Sequence, residues 1–272
     1  MSSNLRIIII TGNSKRHHFF VREMEKRFIV LMAITEQKFD YKKAFEKSDS
    51  CEMVNYHFSL RDESEMSFFG NAFPKTELYQ LAKGKVNEPE TVKMLRHMNA
   101  DFVLLYGSSI IKKPLLEHYE GRVINLHLGL SPYYRGSGTN FWPIVDALPE
   151  CIGATIHLAV PKVDAGPVLH QIRPTSIQTT DGIHDLGNKT ILAAVQALPE
   201  VLVAYSKNQI IPLEQKGLNE IEFKRMDLSN DSIRKAYSNI KEGLISDYLS
   251  NYLNRNNLYP IIEFNPKNYK NG

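Results

Sequence analysis

An amide and an imidazole side chain share one face of a short apolar segment. Residues 123–128 read VINLHL, and this alternation predicts a β-strand from which Asn125 and His127 project together. Such a pair can offer hydrogen bonds to a ligand, because ligands of open α/β sheets bind beyond the carboxyl ends of strands. The alternative is a structural pair whose polar groups the backbone satisfies. On the predicted strand 153–160, His157 either is satisfied in the core or lines the same site.

A carboxylate follows in a loop that can return to this strand. Asp164 lies in a turn bounded by Pro161 and Pro167, and it follows His127 by 37 residues. One strand–helix–strand unit has about this length and can bring the chain back to the same end of a sheet. There the carboxylate could hydrogen-bond the imidazole and stabilise its charged form. The alternative is an aspartate that only forms the turn.

The elements that would position these groups alternate between strands and helices. Apolar runs predict strands, and apolar positions three and four residues apart predict helices. The alternation indicates an α/β fold, with a mainly parallel sheet and helices on both faces. The predicted strands are 5–11, 29–35, 101–106, 122–128, 153–160 and 166–172, and the predicted helices include 88–98 and 180–206.

Two regions give a weaker pattern. Residues 36–75 are charged, and we expect one helix and an irregular connection there. After residue 206 the charge density rises and the apolar pattern fades. We therefore interpret 207–272 as a small α-rich C-terminal extension of a domain at 1–206, with its clearest helical part at 231–251.

The composition excludes several classes of protein. The chain has 272 residues, of which 43% are hydrophobic and 23% charged, as in an ordinary globular domain. The net charge of +3 is too small to indicate nucleic-acid binding. No apolar run approaches the ~20 residues of a membrane helix, and Arg6 interrupts any signal-peptide run. Two cysteines make no disulfide framework or metal knuckle. We expect a cytoplasmic enzyme with no metal, membrane or nucleic-acid partner.

A basic loop after the first predicted strand is a second candidate site. It comprises Gly12, Asn13, Ser14, Lys15 and Arg16. Backbone N–H groups at a helix start attract anions, and the two basic side chains add positive charge. The alternative is a loop of solvated charges. The sequence has no G-x-G-x-x-G pattern and no P-loop, which disfavours dinucleotide chemistry such as that of a nicotinamide oxidoreductase.

Four strings in a fixed order resemble the formyltransferase family, which uses 10-formyltetrahydrofolate. They are INLH at 124–127, LSPYYRG at 130–136, GATIH at 153–157 and VDAGP at 163–167. The catalytic signature of the family is N-x-H…D, which corresponds here to Asn125, His127 and Asp164. The resemblance implies a Rossmann-like sheet and a catalytic domain at 1–206, with 10-formyltetrahydrofolate as the co-substrate.

The chemistry of formyl transfer suits these residue types. The carbonyl oxygen becomes an oxyanion, and losing one donor to that oxygen typically costs about 3–4 kcal/mol of barrier. The resemblance implies that Asn125 and His127 supply the donors. It further implies that Asp164 holds His127 protonated and helps to relay a proton from the acceptor amine to the leaving nitrogen.

The resemblance also implies where the folate and the acceptor bind. The folate slot is implied at Ser108, Ser109, Ile110, Ile111, Val160 and Val163. Contacts to the acceptor are implied at Gly12, Asn13, Ser14, Lys15 and Arg16, and at Tyr134, Arg135 and Gly136. Relatives that act on nucleotides or ribotides bind phosphate at the first loop. We therefore expect the acceptor to be a small-molecule amine that is phosphorylated or nucleotide-linked. The sequence is compatible with a homodimer.

The family formylates several acceptors, and some members hydrolyse the folate donor. Gly129 and Ser131 depart from the commonest motif, which counts against methionyl-tRNA and glycinamide ribonucleotide. The 66 residues from 207 onward are fewer and more acidic than the usual tRNA-binding domain, and we expect no N-terminal regulatory domain of the kind that the hydrolases carry. We expect a nucleotide-linked amino sugar. Methionyl-tRNA, glycinamide ribonucleotide, donor hydrolysis and a non-catalytic folate- or nucleotide-binding module are the alternatives.

Overall fold

The computed structural model describes residues 3–37, 40–48, 51–217 and 222–264. Its strands are β1 (Arg6–Gly12), β2 (Ile29–Glu36), β3 (Leu78–Leu81), β4 (Phe102–Tyr106), β5 (Val123–His127), β6 (Arg135–Gly136), β7 (Ala154–Leu158), β8 (Val168–Ile172) and β9 (Glu222–Phe223). Its helices are α1 (Lys15–Glu25), α2 (Tyr41–Phe45), α3 (Cys51–Phe69), α4 (Pro89–His97), α5 (Lys113–His118), α6 (Trp142–Val145), α7 (Ile183–Ser206), α8 (Asn230–Lys241), α9 (Leu244–Ser250) and α10 (Tyr252–Leu258).

Seven of the strands form one sheet, in the order β3-β2-β1-β4-β5-β7-β8. The first five in this order are parallel to one another, whereas β7 runs antiparallel to both β5 and β8. A separate parallel pair joins β6 to β9. The prediction of a mainly parallel α/β sheet is confirmed.

Helices cover both faces of this sheet because β1 is apolar on both sides. Ile7 and Ile9 pack into the cluster that contains residues of α1 and α7. Ile8 and Ile10 pack into the cluster on the opposite face, with residues of α4 and α5. All four isoleucines are fully buried, as expected for a central strand of a parallel sheet.

Two features of the fold differ from the sequence-based expectations. Residues 36–75 contain two helices, α2 and α3, rather than one; residues 38–39 and 49–50 of that prediction lie outside the described residues. The sheet also gains β3, a short strand at its edge that was not predicted. We did not predict this strand because its two middle residues are exposed. Without a buried face, the sequence lacks the apolar pattern that indicates a strand.

The region after residue 206 packs onto the α/β domain. Leu228, Ile233 and Ile245 share a buried cluster with Trp142 and Ile144. The predicted helical part 231–251 corresponds to α8 and α9, and the region also supplies β9. Residues 218–221 and 265–272 of the predicted extension lie outside the described residues.

No helix in the described ranges is both long and apolar enough to cross a membrane. Likewise, the described residues contain no group of three or more His, Cys, Asp or Glu side chains that could hold a metal ion.

Candidate active site

The register of β5 with its two neighbours gathers polar side chains on one face. Asn125 pairs with Leu105 of β4 and with His157 of β7, and His127 pairs with Thr155. Because residues paired across a sheet project to the same face, the amide and both imidazoles lie together. The strand therefore presents Asn125 and His127 as the alternation predicts, and β7 adds His157 to them.

Asp164 reaches this face from the loop between β7 and β8. Its Oδ2 lies 3.2 Å from His127 Nδ1, and its Oδ1 accepts a hydrogen bond from Asn125 Nδ2 at 3.1 Å. The backbone N–H of Gly136 donates to Oδ2 at 3.1 Å, and His157 Nε2 lies 3.6 Å from Oδ1. The structure thus brings together the three side chains of the N-x-H…D signature.

Both N–H bonds of the Asn125 amide point to protein acceptors. Nδ2 lies 3.0 Å from His157 Nε2 and 3.1 Å from Asp164 Oδ1. His157 Nδ1 lies 2.8 Å from the Leu158 carbonyl, and a ring with its only proton on Nδ1 would accept at Nε2. We expected one amide N–H to face an oxyanion. In the resting site a ligand carbonyl must first displace one of these two acceptors.

His127 lies between two acceptors in a buried position. Its Nδ1 faces Asp164, and its Nε2 lies 3.1 Å from the Tyr134 carbonyl. These contacts would suit a doubly protonated ring. Burial has the larger effect, however, and it lowers the pKa of His127 below the ordinary value although Asp164 and the Tyr134 carbonyl raise it. Burial therefore opposes the effect that we expected of Asp164, which is to keep the ring protonated.

Asp164 itself stays ionised. Burial alone would raise its pKa, but the neighbouring His127 and His157 and the Gly136 N–H lower the pKa of Asp164 to about 2. Its backbone has a φ of +47°, a left-handed conformation that few non-glycine residues adopt. Aspartate tolerates this conformation better than most residues, which explains how a loop can aim the carboxylate back at β5.

The aromatic-Arg-Gly loop serves the site through its backbone. The Tyr134 carbonyl faces His127, and the Gly136 N–H donates to Asp164. The side chains of Tyr134 and Arg135 are 5% and 2% exposed. These three residues were predicted to contact the acceptor. Tyr134 and Gly136 hold the imidazole and the carboxylate in place, a role that a residue-type pattern does not reveal because backbone groups carry it.

Close packing beneath His127 accounts for the glycine at position 129. A Cβ atom at Gly129 would lie 2.6 Å from His127 Nε2 and 2.7 Å from Thr139 Cβ, so only glycine fits. Thr155 Oγ1 donates to the Gly129 carbonyl at 2.6 Å and accepts from the Ser131 N–H at 3.0 Å. The turn after β5 is thereby fixed to β7.

The residues predicted for the folate slot lie in two loops that start beside Asn125. The loop after β4 carries Ser108, Ser109, Ile110 and Ile111, and the loop after β7 carries Val160 and Val163. Leu105 and His157, which pair with Asn125 from either side, each precede one of these loops closely. Ile110 is 63% exposed and can cover a ring, whereas Ile111 is buried in the core.

The predicted anion loop coincides with the start of α1. Gly12 ends β1, Asn13 is exposed, Ser14 is the N-cap residue and Lys15 is the first residue of the helix. The first N–H groups of α1 therefore point toward this loop, as anion binding requires.

The Arg16 side chain, in contrast, contacts another part of the protein. Its guanidinium forms an ion pair with the buried carboxylate of Glu65 on α3. The Arg61 Nε atom lies 3.6 Å from the same carboxylate. The predicted contact of Arg16 with the acceptor would therefore compete with its ion pair to Glu65.

Comparisons with known proteins point to one family. A family model described as formyl transferase matches residues 8–202. A methionyl-tRNA formyltransferase from Thermodesulfovibrio yellowstonii is 30% identical over 135 residues, which cover 49% of this chain and 43% of that protein. The match thus spans less than half the length of this curated relative.

Solved structures share the fold at low identity. A sugar N-formyltransferase from a Shewanella species aligns with a TM-score of 0.56 at 16% identity, covering 85% of this chain and 87% of the other. A phosphoribosylglycinamide formyltransferase from Anaplasma phagocytophilum aligns with a TM-score of 0.53 at 16% identity, covering 82% and 100%. Enzymes named for different acceptors thus have similar folds.

Proposed function

The chain belongs to the formyl transferase family, and we propose that it transfers a formyl group from 10-formyltetrahydrofolate to the primary amine of a nucleotide-linked amino sugar. One observation carries the reaction type. Asn125, His127 and Asp164 lie within hydrogen-bond distance on one face of β5, beside the loops that we assign to the folate.

Asn125 and His127 are the donors for the carbonyl oxygen of the formyl group. The acceptor amine attacks the formyl carbon, and this oxygen gains negative charge. Asn125 Nδ2 and a protonated His127 Nε2 turn to that oxygen when it replaces His157 and the Tyr134 carbonyl as their acceptor. A hydrogen bond to an anionic oxygen is stronger than one to a neutral acceptor, so the exchange favours the transition state.

His127 and Asp164 manage the proton. Burial favours the neutral form of the resting imidazole, and the negative charge that develops beside it raises its pKa as the tetrahedral intermediate forms. Asp164, ionised throughout, stabilises the resulting imidazolium. As the new C–N bond forms, the amine loses one proton; as the old C–N bond breaks, the tetrahydrofolate nitrogen gains one. We assign this relay to the His127–Asp164 pair.

The start of α1 supports an acceptor that carries phosphate. The N–H groups of its first turn and Lys15 suit a diphosphate, and the chain's net charge of +3 is small for a tRNA-binding protein. A nucleotide-linked amino sugar combines such a diphosphate with a primary amine. The second candidate acceptor is methionyl-tRNA, which the 30% identity to a methionyl-tRNA formyltransferase favours.

The identity of the acceptor is tested by mass spectrometry of separate incubations. Purified protein and 10-formyltetrahydrofolate are incubated with a nucleotide-linked amino sugar, with methionyl-tRNA, with glycinamide ribonucleotide or without acceptor. We expect a mass gain of one formyl group on the sugar, and none with the His127→Ala control. Formylated tRNA or ribotide would overturn the sugar assignment, and donor consumption without acceptor would indicate a hydrolase. A folded protein that leaves every mixture unchanged would contradict the enzyme activity itself.

A further inference from the structure

A glutamine from the region after residue 206 holds the loop that carries Asp164. The Gln215 side-chain Nε2 donates to the backbone carbonyls of Asp164 at 3.0 Å and of Gly166 at 2.7 Å. The first of these carbonyls belongs to Asp164 itself, whose φ is left-handed, and the second lies two residues further along the same loop. One side-chain amide thus fixes two successive points of the turn.

The backbone around Gln215 is itself anchored to the sheet. The N–H and the carbonyl of Leu213 pair with the carbonyl and the N–H of Val168, at 2.9 and 2.8 Å. This antiparallel bridge lies on the outer edge of β8. Because the two chains run in opposite directions, moving two residues forward from Leu213 and two back from Val168 places Gln215 beside Gly166.

The same C-terminal region supports the carboxylate end of Asp164. Phe223 of β9 pairs with Gly136, whose N–H donates to Asp164 Oδ2. The Phe223 ring stacks on Tyr134 and on Trp142, at centroid distances of 5.7 and 4.8 Å. The carboxylate is held from that side, and Gln215 holds the backbone of the same loop.

Only the Nε2 donor of the Gln215 side-chain amide makes hydrogen bonds to the described residues. Its Oε1 is buried and has no hydrogen-bond partner among the described residues. Buried acceptors without a partner are rare in native proteins and call for an explanation. A constraint on the Asp164 turn supplies one.

We propose that Gln215 is a positioning residue for Asp164, supplied by a segment beyond the 8–202 match to the family model. Its amide fixes the turn so that the carboxylate stays beside His127 Nδ1 and the Asn125 amide. The kinetic part of this inference rests on the proposed function, because it requires a formyl-transfer rate.

A double-mutant cycle tests the kinetic part. Gln215→Met keeps the side-chain length and removes the donor. We expect kcat to fall by about 10- to 100-fold while KM for 10-formyltetrahydrofolate stays within about threefold. In an Asp164→Asn background the same change should have no further effect, because Gln215 acts through Asp164. The control Glu214→Met, at the adjacent exposed position, should retain full activity. Wild-type activity of Gln215→Met, or multiplicative losses in the double variant, would overturn the proposal.

A second readout requires no acceptor and no turnover. The titration of His127 is followed by NMR of protein labelled with ¹⁵N-histidine. Gln215→Met should shift the His127 titration in the same direction as Asp164→Asn does, and Glu214→Met should leave it unchanged. A folded Gln215→Met protein with an unshifted His127 would reject the positioning role. This outcome is distinguishable from failure of the proposed function, which would appear as inactive wild-type enzyme with the expected titrations.

Discussion

Asp164 is the residue on which the geometry of the site depends. It accepts hydrogen bonds from Asn125 and Gly136 and faces His127, while burial and a left-handed backbone oppose its placement. The alternation of VINLHL predicted which side chains of β5 share a face. It did not predict the protonation of His127, because that depends on burial by distant parts of the chain.

The charge state of His127 gives a prediction at this scale. Burial lowers the pKa of the ring and Asp164 raises it, and the effect of burial is the larger. Replacing Asp164 with asparagine removes the raising contribution, so the pKa of His127 should fall further. A ¹⁵N NMR titration of the wild-type protein and the Asp164→Asn variant measures both values. A higher or unchanged pKa in the variant would contradict the assigned coupling.

Elements differ in how much of their structure the sequence reveals. The strand β1 was predicted because it contains four consecutive isoleucines. The structure buries them on both faces of the sheet. The pair β6–β9 was not, since each strand has two residues and the partners are 87 positions apart at Arg135 and Glu222. The loops that hold Asp164 share this difficulty, because their contacts are backbone groups and one distant glutamine.

The start of α1 gives a prediction at the scale of an element. Lys15→Ala should raise KM for the acceptor and leave KM for the folate donor and the stability unchanged, because the lysine lies at the proposed phosphate site. Arg16→Ala should lower the free energy of unfolding by about 3 kcal/mol, because it leaves the buried Glu65 with only the more distant Arg61. Steady-state kinetics and urea unfolding distinguish the two effects.

Two results would contradict these assignments for Lys15 and Arg16. If Lys15→Ala changed KM for the folate donor instead, the loop would face the folate tail. If Arg16→Ala left the stability unchanged, the ion pair with Glu65 would not be part of the folded core.

At the scale of the whole molecule, the region after residue 206 is part of the core that supports the site. Its helices share an apolar cluster with α6, and its strand β9 pairs with the loop that holds Asp164. Composition indicated an α-rich extension and missed this role, because rising charge density describes the outer surface of a region and not its buried contacts.

Buried histidines make the folded molecule sensitive to acid. Burial, with nearby positive charge in two cases, lowers the pKa of His57 to about 3 and those of His170 and His184 to about 4. The unfolded chain binds these protons near pH 6.5, so their contribution to stability is complete above that pH and is lost as the pH falls toward 4. We expect the free energy of unfolding to fall by about 3 kcal/mol per pH unit between pH 6 and 4.

Urea unfolding at several pH values measures this slope. His170→Gln should reduce the slope by about one third, because it removes one of the three titrations and can retain an acceptor for the Phe264 N–H. A free energy of unfolding that is the same at pH 7 and pH 5 would contradict the assignment of neutral buried histidines.

The central claim is that Asn125, His127 and Asp164 act as one unit in formyl transfer. The most direct measurement is the single-turnover rate of transfer from 10-formyltetrahydrofolate, followed by quenching and mass spectrometry, with the donor Kd measured separately. Alanine at each of the three positions should lower this rate by about 10²- to 10³-fold, leave the donor Kd within a few-fold, and give double variants little slower than the slowest single one. Wild-type transfer rates in Asp164→Ala or His127→Ala would contradict the account.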